Sequence, residues 1–305
     1  MSKIFNTPIL LIAFNRPELT QKVLNRIREV NPKFLFVAVD GARENNPSDK
    51  EKCQQVKDLV LNFGWKCQVK TLFQGNNLGC KLGPVAAINW FFENVEKGIV
   101  LEDDVLADKS FFYYCQELLS KYQNDMSIAS ISGNNFQFDK QRTADSYYFS
   151  RYSHTCGWAT WQRAWQLYDV DIKQWAKYKK EKWLSDIFES KLSAYYWKLI
   201  FDGVYSGKND TVWDYQWNFM TWTHNMLSIL PNQNLIQNIG FGSSDATHTK
   251  RLSPLALNPV KPIKFPLIHP VKVTRDAIAD DTTQRNNYIL WKEAGMALLR
   301  KLVRR

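Results

Sequence analysis

The opening third of the chain alternates unbroken apolar runs with stretches of helical periodicity. Residues 8–14 (Pro-Ile-Leu-Leu-Ile-Ala-Phe) are continuously apolar, which suits a strand buried on both faces. Pro17 is placed to begin a helix, in which Leu19, Val23, Leu24, Ile27 and Val30 recur at helical spacing. Residues 34–39 read as a second strand ending at Asp40-Gly41. Ser48 and Glu51 form a capping-box pattern for the next helix, with Val56, Leu59 and Val60 on its inner face. Residues 68–72 are a third strand; the Gly- and Asn-rich residues 74–79 follow, then a helix through Ala86, Ala87, Trp90 and Phe91. A fourth strand ends in three consecutive carboxylates, Glu102, Asp103 and Asp104. Repeated strand–helix alternation predicts an α/β fold, with a mostly parallel central sheet flanked by helices. That arrangement puts Asp40, the Asn76 loop and Asp104 on one edge.

Further on the pattern is less regular. Gly157-Trp158-Ala159-Thr160-Trp161 lies between a strand ending near Tyr152 and a helix through Trp165. It is a candidate wall for a sugar-binding cleft, and equally an aromatic core packed under the sheet; His154 just before it reads as a structural histidine. Residues 227–231 and 234–238 read as short strands around a turn, and residues 239–248 as a polar loop. Residues 254–270 are proline-dotted, a strap over the surface. Residues 281–305 combine Leu290, Trp291, Leu298, Leu299 and Leu302 with Lys292, Arg300, Lys301, Arg304 and Arg305. That is an amphipathic basic helix, suited to an anionic membrane or to docking on its own domain. The expected organisation is a catalytic domain over 1–250, divided into a nucleotide-binding part (1–133) and an acceptor part (134–250), followed by the strap and helix of 251–305.

Composition narrows the field. The 305 residues are 45% hydrophobic and 23% charged, ordinary for a globular protein, and no apolar run approaches the ~18 residues of a membrane span. No signal-peptide pattern opens the chain. The five cysteines are scattered, without CxxC, so neither a disulfide framework nor a zinc site is expected; a reducing cytoplasm fits. A formal charge of +10 favours anionic partners. Twelve tryptophans suit sugar stacking or a large core.

The acids at 102–104 sit where an α/β sheet delivers charge to its ligand crevice. Carboxylates placed together raise each other's pKa unless a cation is present, and a hard divalent ion completed by substrate phosphates is the usual one. A bare EDD is also simply an acidic loop. At the same edge, Arg16 suits a phosphate, Asp40 a base or ribose, and Asn76 and Asn77 a base, while Gly79 lets the backbone approach; Lys81 is counted with them. Taken singly, Asp40-Gly41 is a turn and Arg16 a solvated helix-start residue. No GxGxxG and no GxxxxGK[ST] is present, so neither a dinucleotide fingerprint nor a Walker loop is supported.

The ordered set of Leu11-Ile12-Ala13-Phe14-Asn15-Arg16, Val39-Asp40-Gly41, Val100-Leu101-Glu102-Asp103-Asp104, Phe111-Phe112, Ile131-Ser132-Gly133-Asn134-Asn135, Gly157-Trp158-Ala159-Thr160-Trp161, Trp213-Asp214-Tyr215-Gln216-Trp217 and Gly240-Phe241-Gly242 resembles the nucleotide-sugar glycosyltransferases of the GT-A fold. It is similar in particular to the N-acetylglucosaminyltransferase I-like group and to bacterial hemolytic-protein-like sugar transferases. The resemblance runs over residues 8 to 250. It implies a Mn²⁺- or Mg²⁺-dependent, inverting transferase that moves a sugar from a UDP-sugar, UDP-GlcNAc among the options, to a glycan or lipid-linked glycan; nucleic acid is not an expected partner. It further implies that Asp104 contacts the metal, that Glu102 and Asp103 face the nucleotide, that Asp40 meets the uracil with Arg16 near base and phosphates, and that Asp214 is the catalytic base. A loop histidine, His248, matches the group that closes over the diphosphate as metal ligand or phosphate donor. Asp214 is otherwise a helix N-cap. The rival readings are a sugar-nucleotide nucleotidyltransferase, which usually carries a glycine- and basic-rich loop after its first strand, and a non-catalytic carbohydrate-binding or toxin-like protein.

Overall fold

The computed structural model describes residues 5–138, 140–241 and 258–288. Its centre is an eight-stranded sheet. In chain order the strands are β1 (Ile9–Ala13), β2 (Phe34–Val39), β3 (Gln68–Phe73), β4 (Lys97–Glu102), β6 (Ile128–Ser132), β7 (Tyr147–Ser150), β8 (Trp158–Trp161) and β9 (Leu227–Pro231). Their spatial order is β3-β2-β1-β4-β8-β6-β9-β7. The first four are mutually parallel, joined by α1 (Pro17–Arg28), α2 (Pro47–Leu61) and α3 (Gly79–Asn94). Beyond β4 the sheet is mixed: β8 is antiparallel to both β4 and β6, β9 parallel to β6, and β7 antiparallel to β9. Four of the seven pairings are therefore parallel, and the fold is a mixed α/β one with helices on both faces.

The two faces are written in the alternation of the strands. Ile9, Leu11, Leu35, Val37, Ile99 and Leu101 pack with Val23, Leu24 and Ile27 of α1, Val56 and Val60 of α2, and Phe111, Phe112 and Leu118 of α4 (Lys109–Lys121). The intervening Leu10, Phe36, Ala38 and Val100 face Ile88 and Phe91 of α3, Trp165 of α5 (Gln162–Trp165), and Trp217 and Met220 of α9 (Asp214–Thr223). A third, aromatic cluster is built from α6 (Trp175–Tyr178), α7 (Trp183–Ile187) and α8 (Lys191–Tyr205) against Phe219 and Trp222 of α9.

Three local readings change. Residues 158–161 are not a connection but the strand β8, at the middle of the sheet, with Trp158 opposite Val100. Residues 227–231 and 234–238 do not form a hairpin: β10 (Ile236–Asn238) leaves the main sheet and pairs with β5 (Val105–Ala107), the short strand that follows the acids. Ser48 does not cap α2; Asn46 occupies that position and Ser48 Oγ donates to its side chain. After β10, residues 258–276 run as a strap tied to the domain by backbone bonds such as Lys261 N to Asn234 O and Ser146 N to Ile268 O. It leads into α10 (Ala277–Asn287), whose Asp280 and Gln284 are buried. The proposed membrane-facing residues from 290 onward, and His248, lie outside the described residues. No helix among the described residues is long and apolar enough to cross a membrane.

Candidate functional site

The register of the parallel half aligns its carboxyl ends. Ile12 pairs with Glu102, Ala13 with Val39, and Val39 with Phe73. The residues that follow, Arg16, Asp40, the 74–79 loop and Asp103-Asp104, therefore share one edge, as the alternating pattern predicts.

The acids and Arg16 meet directly. Arg16 Nη1 donates to Asp104 Oδ2 at 2.9 Å and to Asp103 Oδ1 at 3.2 Å, and Phe14 N donates to Asp103 Oδ2 at 3.2 Å. Asp103 and Asp104 are buried, and Glu102 is half-buried. Among the described residues, one guanidinium, that of Arg16, faces these three carboxylates. Burial pushes Glu102 up to about 8, helped by the charges of Asp104, Asp103 and Asp214, against the pull of Arg16. Burial likewise pushes Asp103 up to about 7, with Arg16 opposing it. Burial works against the charge of Arg16, but Asp103 and Asp104 outweigh it and the guanidinium is held more firmly protonated.

Such excess negative charge fits a hard divalent cation. The donors are carboxylate oxygens, the ligand type Mg²⁺ and Mn²⁺ prefer. Among the described residues no group of three or more His, Cys, Asp or Glu is arranged to hold a metal by itself. Asp103 and Asp104 are the carboxylates that this edge offers to such an ion. Gly240 is part of this arrangement: a Cβ there would lie 2.3 Å from Asp104 Oδ2, while Ile239 N donates to Asp104 O at 2.7 Å. The segment after β10 is thereby laid against the acids.

Asp40 does something the sequence did not suggest. Its carboxylate accepts from Gly41 N (2.9 Å), Leu78 N (2.9 Å), Gly79 N (3.0 Å) and Asn77 Nδ2 (3.0 Å). It staples the 74–79 loop and satisfies orphan N–H groups at the start of α3; burial raises its pKa while those donors lower it. Asn77 is used up in the same staple, donating also to Gly41 O at 2.8 Å. Asn76 is left exposed at the rim, its backbone pressed on Gly41, where a Cβ would come within 2.3 Å of Asn76 C. Lys81 sits half-buried in the first turn of α3.

Asp214 is the first residue of α9, with Trp213 as its N-cap and no side-chain cap bond, so the capping alternative does not apply. Its negative charge adds to those that raise Glu102. Trp158 corrects the cleft-wall expectation: it is fully buried among Trp165, Trp213 and Trp217, as core. His154 is buried against Phe136 and pushed down to about 3 by burial, a neutral structural residue.

Sequence reasoning missed a third buried acid at this edge. Asp49 of α2 accepts from Asn15 Nδ2 at 2.7 Å and from Arg43 through Nε at 2.5 Å and Nη2 at 3.0 Å. Arg43, whose guanidinium also lies 5.4 Å from the Phe14 ring centroid, is thereby fixed beside the turn that carries Arg16. The signal available was a basic residue three positions after Asp40. Asp49 lies between Ser48 and Glu51, inside the capping pattern that draws attention to its neighbours.

No family model and no curated protein matches the chain. Among solved structures it is similar to an apo UDP-glucose pyrophosphorylase (8% identity, 76% of this chain and 93% of that one, TM-score 0.37). It is also similar to the 4-diphosphocytidyl-2C-methyl-D-erythritol synthase of Anaerococcus prevotii (10% identity, 58% and 78%, TM-score 0.33). A third is the inositol-1-phosphate CTP transferase of T. maritima (11% identity, 53% and 74%, TM-score 0.32). With TM-scores below 0.4, these likenesses carry no argument about which reaction this chain performs.

Proposed function

We propose that this chain is a divalent-metal-dependent transferase acting on a nucleotide-diphosphate sugar, UDP-linked, and that it passes the sugar with inversion to a hydroxyl of a glycan or lipid-linked glycan. What supports this reading is the geometry of Asp103 and Asp104 around Arg16 at the carboxyl edge of the parallel strands, with Asp214, on an element of its own, adding negative charge toward Glu102. Sugar transfer asks for two functions at once: charge stabilisation on the departing diphosphate, and a base for the incoming hydroxyl. Asp103 and Asp104 with Arg16 supply the first set of groups, and Asp214 supplies the second. When bound at Asp104, with Asp103, the cation would act as a Lewis acid toward the diphosphate. Arg16 adds fixed positive charge beside it. Asp40 works as a positioning residue, holding the loop that presents Asn76 to the base, with Lys81 on the phosphate side. Residues 1–133 would then bind the donor and residues 134–250 the acceptor.

The second reading is a sugar-nucleotide nucleotidyltransferase. Arg16 favours it: a guanidinium at the end of the first strand, aimed into the acids, also suits a nucleoside triphosphate. There the attacking group is already an anionic phosphate, so no base is needed. The three-residue connection between β1 and α1 is shorter than the basic loop that activity usually employs.

The test uses both reactions. Thermal shift with UDP and Mn²⁺ together should exceed the sum of each alone. Asp214→Asn should keep that shift and lower sugar transfer from a UDP-sugar by about 10²–10⁴-fold, the usual size of general-base catalysis. Pyrophosphate release from UTP and a sugar 1-phosphate, undiminished in Asp214→Asn, would instead establish the second reading.

A further inference from the structure

Twelve large apolar side chains are exposed among the described residues, and five of them, Phe265, Ile268, Val271, Val273 and Ile278, fall on the strap and the first turn of α10. Val271 is 97% exposed, Ile268 58% and Phe265 45%. Isolated exposed apolar residues need no explanation; a run of them on one short segment does. The segment is not loosely draped. Ile263 and Leu267 point inward and are buried. Ile263 N donates to Ser110 Oγ at 3.0 Å and Ile268 N to Ser146 Oγ at 2.9 Å, and Asp276 N donates to Phe149 O at 2.8 Å. The inward anchors fix the neighbouring side chains outward.

The charges on the same segment are of one sign. Lys272 is exposed between Val271 and Val273, Lys261 and Lys264 are exposed just ahead of Phe265, and no acid occurs from residue 258 to residue 275. Arg275 is committed to Asp280 and Glu189. Glu117 of α4, which reaches the strap, is engaged by His269 Nε2 at 3.2 Å. Apolar tips that insert shallowly, interleaved with lysines, are complementary to an interface of acyl chains and anionic headgroups.

We propose that the strap is an interfacial anchor that seats the protein on an anionic bilayer, with Phe265, Ile268, Val271 and Val273 entering the headgroup boundary and Lys264 and Lys272 contacting lipid phosphates. This rests on the strap alone and is independent of which transferase reaction the acids perform.

The experiment is cosedimentation of the full chain with phosphatidylcholine vesicles containing or lacking phosphatidylglycerol. The full chain should partition onto the anionic vesicles and be released by salt. The variants Ile268→Ser/Val271→Ser and Lys264→Gln/Lys272→Gln should each weaken partition by roughly tenfold or more, each lysine accounting for about fivefold. Their circular dichroism and melting should match the parent, because the altered side chains are exposed. Parent-like partition of both variants would overturn the proposal and move any vesicle binding to the basic carboxy-terminal residues. Equal binding to neutral vesicles would also overturn it. So would variants that change the size-exclusion profile but not vesicle partition, since the face would then join copies of the chain.

Discussion

Asp49 and Asp104 are both buried acids at the edge of the sheet, and their surroundings treat them differently. Asp49 is gripped by Arg43, which with Asn15 holds its carboxyl below the usual carboxylate range in spite of burial. A carboxyl depressed in the folded state contributes stability that is complete above its unfolded value of about 3.9 and is lost as pH falls through the lower folded one. Asp49→Asn should therefore cost about 2–3 kcal/mol near neutral pH, and the gap between parent and variant in urea denaturation should begin to narrow once the pH falls below about 3.9. A gap that stays constant would mean that Asp49 acts through packing alone. Asp104 is bounded by Gly240. Gly240→Ala places a methyl group against Asp104 Oδ2, Cβ and Cγ, so the carboxylate must move. Metal-dependent UDP affinity should fall at least tenfold with the melting temperature nearly kept, as isothermal titration and a thermal melt would show. Residue identity made the Arg16–Asp104 edge legible, because both follow apolar runs. It could not reveal that Asp40 and Asn77 spend their hydrogen bonds on each other and on α3, since a carboxylate that binds a base and one that staples a loop are the same letter.

Among the elements, legibility followed the length of the apolar run. The strands β1 and β2 are unbroken apolar stretches and β4 has an apolar centre at Ile99, Val100 and Leu101, so all three could be read directly. In contrast, β8 is four residues, Trp-Ala-Thr-Trp, with a glycine before it, and its aromatic content pointed equally to a cleft. The three-residue strands β5 and β10 exist only because each supplies the other's hydrogen bonds, a tertiary fact with no local pattern. Helix α10 likewise depends on a tertiary contact, while residues 290–305, on which the membrane and docked alternatives turn, lie outside the described residues. Gln284 Oε1 accepts from Tyr152 Oη at 2.6 Å and from Trp197 Nε1 at 2.8 Å, so one glutamine ties the helix to the aromatic cluster. Gln284→Ala leaves two buried donors without an acceptor and should cost about 2–4 kcal/mol, measured by chemical denaturation. A loss under ~0.5 kcal/mol would mean that water replaces the side chain.

Over the whole molecule, the parallel half and the mixed half are one sheet, joined where β8 lies between β4 and β6. Its two outer strands meet the solvent in opposite ways. Strand β3 is guarded chemically: Gln68, Lys70 and Thr71 are exposed, and a lysine on an outer strand discourages pairing with another chain. Strand β7 has no such guard. Tyr147, Tyr148, Phe149 and Ser150 are all buried, and no charge interrupts them. What shields that margin is the strap, which bridges Phe149 to Arg275 and bonds Ser146 to Ile268. The strap is thus a covering strand in all but length, and it stands between a row of aromatic residues and the same row on a neighbouring molecule. A chain cut short of it would keep every acid of the candidate site and yet offer a flat, uncharged margin on which sheets could stack end to end into aggregates.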